Sequence, residues 1–220
     1  MKKTILATIF SVFYMVSASA EVGINVGISG QVGLFAASGQ ENVAGGTGSD
    51  NQNEGSEHGE AGWGSVFIEK TLGDRLAIGV DYVPGALETE TTESVRQDKT
   101  SSATASAVEN KVQLDFEDLT TLYVVVKAND NFYIKAGMME VDVITNESLG
   151  TGSTYGNTSL DGTMLGFGYN NTLDSGLFIR AETNYMDFDS QKLTSSANSN
   201  TVELSQLHGV SAKLSVGKSF

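Results

Sequence analysis

The sequence predicts an all-β chain, an eight-stranded antiparallel up-and-down transmembrane barrel, and three observations carry that prediction. Long stretches alternate between apolar and small polar residues, the signature of strands with two unlike faces. The connections between these stretches alternate long and short along the chain, as they do in barrels that cross an outer membrane. A chain of 220 residues with 25 Gly, one Pro and no Cys is also suited to extended, turn-rich structure. Backbone pairing must hold it together, since it has neither a disulfide framework nor a thiolate metal site.

At the N-terminus, Lys2 and Lys3 precede an apolar run from Ile5 to Val16 and then Ala18-Ser19-Ala20, the layout of an export signal with an A-x-A cleavage site. Residues 1–20 are therefore expected to be removed, because the run is too short for a spanning helix, which needs about 20 residues. The mature chain would begin at Glu21 with 11 basic and 27 acidic residues, taking the formal net charge from −14 to −16. Such a balance argues against a nucleic-acid-binding surface.

The first segment is apolar at Val22, Ile24, Val26, Ile28, Val32 and Leu34, with Gly23, Asn25, Gly27, Ser29, Gln31 and Gly33 between them. On a soluble barrel the polar face would carry Lys and Glu, whereas small uncharged residues suit a narrow lumen with lipid on the other side. Ser65 to Leu72 follows, then Leu76 to Val83, with Leu76, Ile78, Val80 and Tyr82 on one face. Val112 to Lys127, Phe132 to Val143 and Leu160 to Asn170 come next, the last with Thr163, Leu165, Phe167 and Tyr169 on one face. Leu177 to Phe188 and Val202 to Phe220 complete eight. The phase of the second and fourth segments stays open; Asp118 falls on the apolar face of the fourth unless it lies above the bilayer or follows a bulge.

Long connections are expected at about 36–64, 84–111, 144–159 and 189–201, and short ones at Gly73-Asp74-Arg75, Ala128 to Asn131 and Asn171 to Ser175. The long ones are assigned to the outside, which puts both mature ends in the periplasm. Aromatic residues fall near the segment ends, as interfacial girdles would: Phe35, Trp63, Tyr82 and Tyr185 outside, and Phe132, Tyr169, Phe178 and Phe220 inside.

With the export signal and eight strands, Phe220 preceded at alternate positions by Val216, Leu214, Ala212 and Val210 resembles the small OmpA/OmpX-type outer-membrane barrels of Gram-negative bacteria. The resemblance implies a place in the cell outer membrane among lipid and lipopolysaccharide. It also implies a last strand whose Val210, Ala212, Leu214, Val216 and Phe220 are read by the barrel-assembly machinery during biogenesis. Lys218 stands where the family usually has a hydrophobic residue and is expected to snorkel. No peptidoglycan-binding domain follows Phe220, so a barrel standing alone is expected.

If the apolar faces meet lipid, then Glu69, Asp81, Lys135, Arg180, Glu182 and Lys213 point into the lumen. An eight-stranded interior is just filled by side chains, so these charges are expected to form a mixed polar network that replaces a hydrophobic core and closes the barrel. The first long connection carries Glu41, Asp50, Glu54, Glu57 and Glu60, and its stretch from Ala37 to Gly62 has no Lys or Arg. The run Asp50-Asn51-Gln52-Asn53-Glu54-Gly55 has Ala61 at the twelfth position and so fails as a calcium loop. His58 lies in the first connection and His208 on the last strand; Ser211, three residues from His208, falls on the opposite face, so no hydrolytic pair forms locally. No catalytic residue, cofactor or metal is expected.

The function this favours is a structural or surface-interaction role for an acidic fringe meeting an extracellular partner, with a lipid-modifying enzyme the weakest reading. The alternative is transport, by a narrow pore or by a conduit passing small hydrophobic molecules sideways into lipid. Deleting Phe220 should impair assembly, measured as loss of the fast-migrating unheated form on SDS gels of isolated membranes.

Overall fold

A strand in hydrocarbon must be paired on both edges, because each unpaired N–H or C=O there costs several kcal/mol. The chain meets this demand by closing a ring. The computed structural model describes residues 23–43, 52–98, 106–150 and 152–220; the expected export signal and Asp50 lie outside these. The described strands are β1 (Ile24–Asn42), β2 (Gln52–Leu72), β3 (Leu76–Tyr82), β4 (Leu87–Glu88), β5 (Thr92–Asp98) and β6 (Ser106–Lys127). They continue with β7 (Phe132–Leu149), β8 (Thr158–Thr172), β9 (Leu177–Phe188), β10 (Gln191–Thr194) and β11 (Thr201–Ser219). Eight of them form the antiparallel ring β1-β2-β3-β6-β7-β8-β9-β11, which β11 closes on β1 from Asn25↔Ser219 to Asn42↔Thr201. The short β4 and β5 pair only with β6, and β10 with β11.

The two faces divide as the alternation predicts. Ile28 (60% exposed), Val32, Leu34 and Leu214 (66%) point outward, while Asn25, Ser29, Ser65 and Ser215 are buried inside. From Ile24 to Leu34 the outward face is about 33 Å of strand, which a tilt of about 40° reduces to about 25 Å, the height of a lipid-facing band. At the inner end Phe132 stacks on Phe167 at 5.7 Å and meets Tyr169 edge-on at 5.2 Å, forming part of a girdle. Gly73, at φ +69°, supplies the left-handed residue that the β2–β3 turn requires.

Two expectations need correction and one open point is settled. The strands run well past the lipid band: β1 and β2 remain paired out to Asn42↔Gln52, so Glu41, Glu54, Glu57 and Glu60 stand on a raised hairpin, not in an irregular loop. Outside the bilayer such residues need no apolar outward face to extend a ladder, so the alternation read on β1 and β2 stops short of where their pairing ends. Phe35, Trp63 and Phe178 do not join the girdles; Trp63 and Phe178 are buried in the lumen, and Phe35 packs on Trp63 at 5.8 Å. The open phase of the fourth segment is settled by a bulge, since Glu117 pairs with Asp142 but Thr120 with Glu140. Asp118 takes φ +56° there and accepts a 2.6 Å hydrogen bond from Tyr82 Oη.

Above the membrane, Lys111 Nζ lies 2.8 Å from Glu93 and 3.2 Å from Glu109, ties β5 to β6, and has its pKa raised by the hydrogen bonds it donates to those carboxylates. Replacing Leu214 by Lys should destabilise the barrel by about 2–4 kcal/mol, measured by urea unfolding in lipid vesicles, whereas Glu57→Lys on the raised hairpin should leave stability nearly unchanged.

Candidate functional site: the lumen and its side seam

Charges enclosed by eight strands cannot reach bulk water, so each needs a partner across the lumen. Glu69 on β2, which is completely buried, pairs with Arg180 on β9; Asp81 on β3 pairs with Lys213 on β11; and Lys135 on β7 pairs with Glu182 on β9. The sequence places these six in the lumen, and the structure joins them into three ion pairs. Arg180 Nε also donates to Asn170 Oδ1 at 2.9 Å, and its guanidinium lies 4.5 Å from the Phe178 ring centre. Lys213 Nζ donates to Ser65 Oγ at 3.3 Å, and Ser65 shares a 2.7 Å bond with Ser29. Three acids face three bases, so the plug is balanced in charge. Close packing beside it depends on glycine: a Cβ at Gly79 would overlap the Tyr123 ring and the Glu69 side chain.

The plug does not replace the hydrophobic core along the whole lumen, as the sequence reading expected. Above it lies an apolar collar that includes Trp63, Val83, Leu119, Met139, Met164 and Met186, continued outward by Val141, Leu160, Phe188 and Leu207. The reason is an exchange of polarity between the two faces of the same strands. Along β7, Lys135 points inward and Ile134 and Met138 outward; beyond them Met139, Val141 and Val143 are inside, while Glu140, itself buried, and the half-buried Asp142 alternate with them on the opposite face. β9 makes the same exchange, from Arg180 and Glu182 inward to Met186 and Phe188 inward. A reading that assigned each segment one apolar face could not find this, although the run Met139-Glu140-Val141-Asp142-Val143 carries the signal.

The wall beside the collar has a seam. The β2–β3 ladder ends at Val66↔Tyr82. Beyond it the backbone bonds seen among the described residues go to β6: Val83 N to Leu119 O, β4 to Phe116 and Asp115, Thr89 N to Leu114 O, and β5 to Val112 through Ser106. Among the described residues no backbone hydrogen bond joins β2 above Val66 to this stretch. The chain's single proline, Pro84, stands at the fork, where it can donate to neither neighbour. Gly62 and Glu60 on β2 pair with the outward Val32 and Leu34, so the lower part of the seam lies at the height of lipid.

The remaining candidates are dispersed. His208 lies on the outer face with its ring 6.5 Å from that of Tyr185, whereas Ser211 is buried in the lumen. Val210, Ala212, Leu214 and Val216 alternate outward on β11, and Phe220 is exposed, with its N–H donating to Ile24 O at 2.9 Å. Among the described residues no three His, Asp or Glu side chains gather to hold a metal ion.

No family model and no curated protein matches the chain. Among solved structures it is similar to the outer membrane protein OprG from Pseudomonas aeruginosa, with a TM-score of 0.55 at 11% identity, over 91% of this chain and 96% of that one. Weaker likenesses reach AlkL, an outer membrane protein determined in DMPC bilayers (TM-score 0.41, 13% identity, 93% of each chain), and Ail of Yersinia pestis (TM-score 0.35, 11%, 88% of this chain and 99% of that one). The chain is an eight-stranded β-barrel of the outer membrane.

Removing one partner of a plug pair leaves a buried charge without compensation. Asp81→Ala should therefore cost about 3–5 kcal/mol, and Asp81→Ala combined with Lys213→Met should recover most of it, both measured by urea unfolding in vesicles.

Proposed function

We propose that this barrel takes small hydrophobic molecules from outside the cell into its apolar collar and releases them sideways, through the seam, into the outer-membrane lipid. The observation that carries the reading is the coincidence at one height of an apolar interior and an unladdered stretch of wall. A core serving only to stiffen the protruding strands needs no break in the wall beside it. The balanced plug closes the way down, and the three methionines supply unbranched, adaptable side chains that can make room for varied apolar shapes. The work is partition, so the reading is non-enzymatic. The OmpA/OmpX likeness belongs to it as architecture: a barrel exported by residues 1–20, assembled through its C-terminal strand and surrounded by lipopolysaccharide.

A second reading, presentation of an acidic surface to an extracellular partner, is favoured by the exposed Glu54, Glu57 and Glu60 on the raised β1–β2 hairpin. Uptake of a hydrophobic fluorophore by cells, together with planar-bilayer recording, separates these roles. We expect several-fold faster uptake with the barrel than without it, loss of that gain in Val83→Lys, and no unitary conductance. Stable conductance without hydrophobic uptake would replace the conduit by a pore, and absence of both would favour the surface role.

A further inference from the structure

Where the collar meets the plug there is a cavity of about 20 Å³, walled on one side by Trp63, Met139 and Met186 and on the other by Asp81, Asn184 and Lys213. That is room for one water-sized group. Two of its lining side chains are more than nine-tenths buried and each leaves a polar atom unpartnered: the indole Nε1–H of Trp63 and the amide Oδ1 of Asn184. The other end of the Asn184 amide donates to Ser211 at 3.4 Å, so whichever way the amide is turned, one of its heteroatoms stays free. A buried polar atom without a partner carries a penalty unless something fills the place. Here both belong to side chains that line one cavity at the foot of the apolar collar, and Trp63 is the first inward residue of β2 above Ser65, where the seam begins.

We infer that the cavity is a polar-end subsite, and that the favoured ligand is a small apolar chain ending in one neutral hydroxyl or carbonyl group. The inference rests on the conduit reading and sharpens it. A hydroxyl at the cavity accepts from Trp63 Nε1–H and donates to Asn184, while the hydrocarbon tail lies among Met139, Met164, Met186 and Leu119. A carbonyl uses the indole donor alone. A carboxylate is disfavoured, because Lys135 and Lys213 are already paired with Glu182 and Asp81 and a fourth negative charge would unbalance the plug. A plain alkane parts the collar side chains in the same way but leaves both polar atoms unmet.

Trp63 is the only tryptophan in the chain, so its emission reports on the site directly. The experiment titrates the folded barrel in detergent with 1-octanol and with n-octane, for the wild type and for Asn184→Leu, which is close to isosteric. The expected result is that both ligands shift Trp63 emission in the wild type, and that the substitution weakens 1-octanol about tenfold while leaving n-octane within twofold. Equal changes for the two ligands, or none, would overturn the subsite and leave the conduit standing. If neither ligand perturbs Trp63 in the wild type, the conduit fails and the subsite with it. Should Asn184→Leu not give the fast-migrating folded form, Trp63→Phe, assayed by equilibrium dialysis with radiolabelled 1-octanol and n-octane, makes the same comparison through the indole donor. The same selective tenfold loss is expected, and an unselective change overturns the subsite.

Discussion

The width of a ring closed by eight strands governs the rest of this molecule. Joining β11 to β1 closes the sheet, so that among the described residues backbone is left unladdered at lipid height only along the lower part of the β2–β3 seam, but it leaves a lumen that side chains nearly fill. Each inward position must therefore be small, apolar and well packed, or charged and paired. All three solutions occur at different heights: glycine and serine where strands carry bulky neighbours opposite, the Glu69–Arg180, Asp81–Lys213 and Lys135–Glu182 pairs at mid-height, and the methionine-rich collar above. Each pair joins non-adjacent strands, and Glu69–Arg180 and Asp81–Lys213 reach across the lumen between walls that no ladder joins.

The exchange of polarity along β7 and β9 follows from the change of solvent outside. Within the lipid band the outer face has to be apolar, and the inner face takes whatever polar groups the chain needs. Once the strands rise above hydrocarbon the outer face can carry Asp142 and Asp187, and burial of apolar area inside becomes the available stabilisation, as in a water-soluble barrel. The bulge at Asp118 performs the same exchange on β6. Leu114 and Phe116 turn toward the core above it, while Leu122 and Val124 face lipid below. One inserted residue thus lets a single strand obey two opposite patterns.

Strand number, the closed ring, the embedded faces and the six plug residues were legible in the sequence because lipid imposes strict alternation and a narrow lumen leaves few places for charge. The outer half was less legible. Met139, Val141 and Val143 alternate as cleanly as Ile24, Val26 and Ile28, but with the opposite meaning, and alternation alone does not say which solvent lies outside. Trp63 and Phe35 were assigned to a girdle because chain position near a strand end is all the sequence offers, whereas pairing register decides that Trp63 points inward. The seam has one sequence mark, Pro84, yet a lone proline after a strand reads equally as the start of a loop. Only the pairing partners of Val83, Leu87 and Thr92 show that the third strand continues on β6 while parting from β2.

In the proposed conduit, the relative heights of plug and seam decide the route of an apolar molecule. Passing downward would require separating ion pairs in a medium of low dielectric, at about 3–5 kcal/mol for each charge left without its partner. An eight-carbon chain gains about 6 kcal/mol by leaving water for an apolar environment, and that gain is already realised on entering the collar, so none remains to open the plug. Moving sideways from the collar into lipid exchanges one apolar surrounding for another and disturbs no pair. The same comparison explains why the plug is built from charges rather than from a continuation of the collar: an apolar floor would yield to an apolar solute, whereas a paired floor is indifferent to it.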